Sequence, residues 1–226
     1  MNKSAPEVAI VGLGYIGLPT AALIASNKVR VLGVDVNHQV VETINQGRIH
    51  IVEPQLDKAV EHAVKHGYLN AATEPREANN YIIVVPTPFK ENKTPDISFV
   101  ETATKKIIPL LKEGDLYIIE STSPVGTTEK MMNLIFSQRP ELKKKIYIAY
   151  CPERVLPGNV MYELVENDRV IGGIDNSSTD RAAAFYSKYI NGEIHKTNAR
   201  TAEMCKLVEN SSRDVKIAFA NELSLI

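Results

Sequence analysis

At 226 residues, 44% of them apolar and with a formal net charge of −1, the chain can bury one substantial core and carries no electrostatic footprint for nucleic acid or an anionic membrane. No apolar run reaches the roughly 18 residues of a membrane span, and the apolar start is interrupted by Gly12, Gly14 and Gly17, which argues against a secretory leader. Cys151 and Cys205 have neither metal-ligand nor disulfide-framework spacing, so the reading is no metal site, two reduced thiols and a cytoplasmic protein.

The β-branched run from Val8 to Val11 predicts a buried strand, and the helical run after it ends near Ala25. Between them Gly12, Gly14 and Gly17 fill a G-x-G-x-x-G spacing. Gly12 permits a tight turn, Gly14 lets the backbone approach a pyrophosphate, and Gly17 lets helix and strand pack closely. The helix N-terminus then offers free N–H groups and a positive dipole end to phosphates. A plain glycine-rich turn competes with this reading. The next strand, residues 29–34, weighs against it, because it ends in Asp35, 18 residues beyond Gly17, close to where an acid meets the adenosine ribose hydroxyls. A carboxylate there repels a 2′-phosphate, which points to NAD rather than NADP.

Asn37 is a candidate N-cap for a helix over residues 39–46, closed by Gly47, and residues 53–66 form another helical pattern that stops at Gly67. Residues 81–85 are continuously apolar, as in a central parallel strand covered on both sides. The strand runs into Pro86-Thr87-Pro88, which puts Thr87 at a carboxyl end, where open α/β sheets bind ligands. A turn threonine held between prolines is the alternative. A helix over 97–111 and a strand over 116–119 lead into Glu120-Ser-Thr-Ser-Pro-Val-Gly126, so Thr122 shares that side of the sheet with Thr87.

A helix over 128–137 and a strand over 146–149 precede Tyr150-Cys-Pro-Glu-Arg-Val-Leu-Pro-Gly158. Its acid, Glu153, and guanidinium, Arg154, suit a loop that orients an anionic substrate; a solvated charge pair is the competing reading. A strand over 169–173 and a helix over 180–191 follow. Residues 199–226 then form one uninterrupted helical pattern. At about 100° per residue, Lys206, Asn210 and Arg213 share one stripe, while Met204, Leu207, Val208, Val215, Ala218 and Phe219 lie opposite. The expectation is that the apolar side packs and the polar stripe is presented, either to a ligand or to solvent. The pattern reaches Ile226 without a stop signal and reads as cut short. The whole predicts an α/β fold: a Rossmann-type doubly wound parallel sheet over residues 1–197, followed from 198 to 226 by the start of a long central helix.

The segments GLGYIGLPTA, GRIHIVEP, VPTPFK, ESTSPVG, AYCPERVLPG with NDRVIGG, and RTAEMCKLVENSSRDVKIAFANELS resemble the UDP-glucose/GDP-mannose dehydrogenase family. The resemblance covers essentially the whole chain and corresponds to about the first half of a full-length member. It implies that Tyr15, Ile16, Asp35, Thr87 and Thr122 contact NAD. It further implies that Arg154, Val155, Lys206, Asn210 and Arg213 contact a UDP-sugar, with Lys206 assisting proton transfer and Glu153 near the reacting carbon. Pro157 stands where the UDP-glucose branch carries a second loop acid, which favours UDP-N-acetyl-D-mannosamine as substrate over UDP-glucose or UDP-N-acetylglucosamine.

Members oxidise the sugar C6 alcohol to an acid in two hydride transfers. The second step runs through a thioester on a cysteine in a Gly-rich segment that this sequence does not reach. The resemblance therefore implies that these residues alone lack the complete reaction, and that the long helix contributes to a homodimer. A non-catalytic NAD-binding module is the reading from another class.

Overall fold

The continuous apolar runs become strands buried on both faces. β1 (Val8–Val11), β2 (Val31–Val34), β3 (Leu69–Ala72), β4 (Asn80–Ile83), β5 (Leu116–Ile119), β6 (Tyr147–Tyr150), β7 (Arg169–Gly173) and β8 (Ile194–Asn198) form one sheet, ordered β3-β2-β1-β4-β5-β6-β7-β8. The structure, a computed structural model, describes residues 5–226. Among the described residues there are eight α-helices: α1 (Gly17–Ser26), α2 (His38–Asn45), α3 (Leu56–Lys65), α4 (Ser98–Ile107), α5 (Thr127–Gln138), α6 (Val160–Glu166), α7 (Asn176–Tyr186) and α8 (Ala199–Leu223).

Side chains alternate across the strands into two cores. Val8, Ile10, Ile82 and Ile118 meet Leu18, Val60 and Phe185 from α1, α3 and α7 on one face. Ala9, Tyr81, Ile83 and Ile119 meet Val100, Ala103, Met131 and Ile135 from α4 and α5 on the other. Every strand from β1 to β6 is parallel to its sheet neighbours within that set. Strand order reverses at β1, which pairs with β2 on one side and β4 on the other, and the carboxyl ends at such a switch point are where open α/β sheets bind ligands.

The doubly wound α/β expectation holds, with one refinement at the far edge. β7 runs antiparallel to β6, and β8 parallels β7, so the last two strands are reversed. A parallel return needs a crossover that crosses the whole sheet. Here the segment after β6 is used in a loop held at the carboxyl edge, and α6 has only seven residues, so the chain re-enters from the edge it left.

Several boundaries move for identifiable reasons. α3 begins at Leu56 rather than at 53, because Gln55 adopts a left-handed φ of 68° and Glu53 turns inward. α7 begins at Asn176 rather than at 180, because Asp175 caps it by accepting from Ser178 N at 2.7 Å. The short elements β3, α6 and β8 carry no long apolar period and were not expected.

α8 corrects the reading of its faces. Its buried residues are Ala199, Ala202, Glu203 and Lys206, whereas Met204, Val208, Val215 and Phe219 are at least half exposed. The polar stripe turns inward because Glu203 and Lys206 find hydrogen-bonding partners at the sheet edge. The apolar side faces outward, and from Ser211 on every residue is exposed, so the helix does not fold back onto its own sheet.

Candidate functional site

The turn between β1 and α1 fixes three glycines for three reasons. Gly12 has φ +98°, and a Cβ on it would lie 2.2 Å from the Val84 carbonyl oxygen; one on Gly17 would lie 1.8 Å from that of Gly12. A Cβ on Gly14 would meet nothing within 4 Å, so the turn is open on that side. The N–H groups of Gly14, Tyr15 and Ile16 have no acceptor among the described residues, and Ile16 caps α1 without a side-chain bond. An open backbone with unpaired donors at a helix N-terminus fits a pyrophosphate.

Asp35, directly after β2, accepts from Leu13 N at 3.0 Å and from Asn37 N at 2.9 Å. The carboxylate expected to meet a ribose thus also braces the glycine turn. Across the switch point, Thr87 Oγ1 donates to the Thr122 carbonyl at 2.6 Å, and Ser121 Oγ both accepts from Val85 N and donates to Val85 O. The ends of β4 and β5 are tied together, with the two expected threonines in contact.

The second cluster forms on the loop after β6. Lys206, 5% exposed, donates through Nζ to the Glu153 carbonyl at 2.8 Å and pairs with Glu153 Oε1 at 3.1 Å. Glu153 Oε2 accepts from Val155 N at 3.0 Å, closing the turn on itself. Arg154 Nε reaches both carboxylate oxygens of Glu209, at 3.2 and 3.3 Å, and its carbonyl accepts from Asn167 Nδ2 at 2.5 Å. The structure therefore brings Glu153, Arg154, Val155 and Lys206 together. Asn210 lies half-buried one turn further along α8, and Arg213 is exposed beyond it.

Two carboxylates that sequence reasoning passed over hold this arrangement. Glu203, fully buried, accepts from Gly126 N at 2.6 Å and from Thr128 N and Oγ1 at 2.8 and 2.6 Å. It satisfies orphan donors at the start of α5 from 75 residues away and puts a negative charge at the positive end of that helix. Glu53, 4% exposed, accepts from Tyr15 OH and Gly158 N, both at 3.0 Å, and from Val160 N at 2.7 Å. The Tyr15 hydroxyl consequently holds its proton above the usual phenol range, chiefly through that bond to Glu53. No sequence spacing marks either contact.

Residues 6–190 match the NAD binding domain of the UDP-glucose/GDP-mannose dehydrogenase family, and residues 200–226 match that family's central domain. The chain belongs to the UDP-glucose/GDP-mannose dehydrogenase family. It is 60% identical to a UDP-N-acetyl-D-mannosamine dehydrogenase of Yersinia pestis over 97% of this chain and 54% of that protein. It is 55% identical to an NDP-N-acetyl-D-galactosaminuronic acid dehydrogenase of Ralstonia nicotianae, with the same shares covered. Among solved structures it is similar to the UDP-N-acetyl-mannosamine dehydrogenase of Staphylococcus aureus, with a TM-score of 0.90, 42% identity, and 96% of this chain and 53% of that one covered. The chain spans about half the length of the curated relatives it matches.

The open glycine turn lies within the part of the chain that matches that family's NAD binding domain. Beneath the second cluster lies a buried polar group that the sequence did not reveal. Tyr186 OH donates to Glu120 Oε1 at 2.6 Å, Arg169 Nη1 lies 3.9 Å from the same oxygen, and the guanidinium carbon sits 5.4 Å from the Tyr186 ring centroid. Burial pushes the Glu120 carboxyl above its usual range, with Arg169 opposing the shift, and pushes the Cys151 thiol up to about 12. Cys151 is thus a packing residue with almost no thiolate near neutral pH, and Cys205 is exposed on α8.

Proposed function

We propose that the chain forms the cofactor site and part of the sugar site of an NAD-dependent UDP-sugar 6-dehydrogenase, with UDP-N-acetyl-D-mannosamine as substrate. The observation that carries this reading is Lys206: a buried ammonium held against Glu153 at the carboxyl edge that also bears the open glycine turn. The names of the relatives support the substrate, and Pro157 agrees with that branch.

In this reading Gly12, Gly14, Tyr15, Ile16 and Gly17 cradle the pyrophosphate, Asp35 accepts from the adenosine ribose, and Thr87 and Thr122 line the cofactor's far end. NAD, when bound, supplies the hydride acceptor for oxidation at C6. Lys206 Nζ donates to the C6 oxygen and places positive charge where an alkoxide develops, so that the alcohol proton is lost more easily to a water that Asn210 orients, and Glu153 assists the later hydrolysis. Arg154, the Val155 backbone and Arg213 bind the nucleotide-sugar, with Arg154 exchanging its bond to Glu209 for the anionic ligand. The thiol needed for the second oxidation is neither Cys151, which is buried and protonated, nor Cys205, which lies on the outer side of α8; residues 1–226 alone therefore do not complete the reaction. The cofactor unit ends near residue 197. The outward apolar side of α8 serves a homodimer in the cytoplasm, an assembly that Val215→Asp and Phe219→Asp would dissociate in light scattering.

The test is NADH formation by this chain and by a protein carrying it at its relatives' length, offered UDP-N-acetyl-D-mannosamine, UDP-glucose and UDP-N-acetylglucosamine. The reading expects turnover by the longer protein alone, and fastest with the first sugar. Binding of NAD without turnover of any UDP-sugar would leave the non-catalytic NAD module standing instead.

A further inference from the structure

Among the described residues Glu53 is the one buried carboxylate that touches both the glycine turn and the loop after β6. Its Oε2 accepts from the Tyr15 hydroxyl, 38 residues away on the glycine turn, and from Gly158 N, 105 residues away; its Oε1 accepts from Val160 N. Gly158 ends the segment that carries Glu153, Arg154 and Val155. Leu156 N in the same segment donates to Glu163 of α6 at 2.7 Å, which ties the loop to α6. Asn159, at the start of α6, makes no side-chain cap bond, and the donor of Val160 is satisfied by Glu53 alone. Tyr15 is 39% exposed, on the open side of the turn where Gly14 leaves room.

We propose that Glu53 is a positioning residue that couples the cofactor turn to the substrate loop: fixing Tyr15 through the cofactor orders residues 153–160 through one shared carboxylate. The physical basis is the sharing of Oε2. When the N–H groups of Gly14, Tyr15 and Ile16 bind phosphate oxygens, the Tyr15 backbone stops fluctuating and its phenol stays on Oε2. The carboxylate then keeps the one orientation that also serves Gly158 and Val160. With the turn free, each excursion of Tyr15 loosens an acceptor on which the loop depends. Coupling between the two binding events is reciprocal, so a nucleotide-sugar on the loop tightens NAD by the same factor. The sugar loop's role rests on the function proposed above; the NAD-driven ordering does not.

Amide hydrogen exchange of residues 153–166, with and without saturating NAD, tests this in the wild type, Tyr15→Phe and Glu53→Gln. NAD should slow exchange at Gly158 and Val160 in the wild type by about fivefold, the factor one hydrogen bond supplies. In Tyr15→Phe that NAD-dependent slowing should vanish while exchange in α1 still responds to NAD. Glu53→Gln should exchange rapidly at both amides whether or not NAD is present. Should Glu53→Gln fail to fold, Tyr15→Phe decides by itself, since it removes a single hydroxyl. Equal slowing in Tyr15→Phe, or none in the wild type, overturns the coupling. A parallel titration of UDP-N-acetyl-D-mannosamine into a protein carrying this chain at its relatives' length separates the two claims, because failure of the sugar to bind there refutes the proposed function and leaves the exchange result to be judged alone.

Discussion

The glycine turn after β1 and the loop after β6 lie at the same edge of one sheet, yet they are held by opposite means. The turn is fixed by its own spacing: Gly12 N donates to Val34 O at 2.8 Å, Leu13 N to Asp35, and the absence of side chains does the rest. The loop is fixed by side chains from far along the chain, with Lys206 and Glu209 arriving from 53 and 55 residues away and Glu53 from 105. Damage to the turn should therefore be local and steric. Damage to the loop should come from remote substitutions.

The largest effects belong to the turn. Gly17→Ala would set a methyl 1.8 Å from the Gly12 carbonyl oxygen, so the backbone must move, at a cost of on the order of 3 kcal/mol in urea unfolding. Gly14→Ala meets open space and should leave the unfolding midpoint within experimental error, yet weaken NAD by about tenfold or more by blocking the phosphate's approach. If both alanines destabilised equally, the three-glycine assignment would be wrong.

Next comes a remote carboxylate. Glu203→Gln removes charge from a fully buried group that accepts three hydrogen bonds, and should cost about 2–3 kcal/mol and free the start of α8 from α5. Denaturant titration with exchange at Gly126 and Thr128 reads both effects.

The two thiols sharpen the contrast through pH. Cys205 should alkylate readily at pH 8 and Cys151 should not, because burial pushes the Cys151 thiol up to about 12. In the unfolded chain Cys151 ionises near 9 while the fold keeps it protonated. Its contribution to stability is thus full below pH 9 and lost as pH rises from there toward 12. Mass spectrometry of alkylated protein follows the first effect, and unfolding in Cys151→Ala against wild type across that window follows the second.

The smallest change in stability is expected at Arg154. Its pair with Glu209 is more than a third exposed on the arginine side, so Arg154→Lys should cost well under about 1 kcal/mol. On the proposed function, loss of the planar fork should nonetheless weaken UDP-sugar binding measurably in a calorimetric titration.

Most of the sheet was readable because buried parallel strands are continuously apolar, and β5 and β7 match their expected limits residue for residue. The turn between β1 and α1 was readable because glycine spacing is itself the structure. The short elements β3, α6 and β8 were not, since four to seven residues carry too little periodicity. The faces of α8 were misjudged for a different reason. Helical periodicity locates Lys206 on a polar stripe, but only tertiary contacts reveal that Glu203 and Lys206 have buried partners and that Val215 and Phe219 stay exposed among the described residues. Glu53 looked like a helix residue because its role lies in Tyr15, Gly158 and Val160, which local pattern cannot join.

The claim that Lys206 serves a nucleotide-sugar on the loop and not the cofactor on the glycine turn is tested most directly by calorimetric titration of NAD and of UDP-N-acetyl-D-mannosamine into wild type and Lys206→Ala. The account predicts that Lys206→Ala weakens the nucleotide-sugar by about tenfold or more, as loss of a buried charge partner does. It also predicts that NAD affinity, measured without the sugar, stays unchanged. Unaltered sugar binding, or loss of NAD binding with the fold intact, would contradict it.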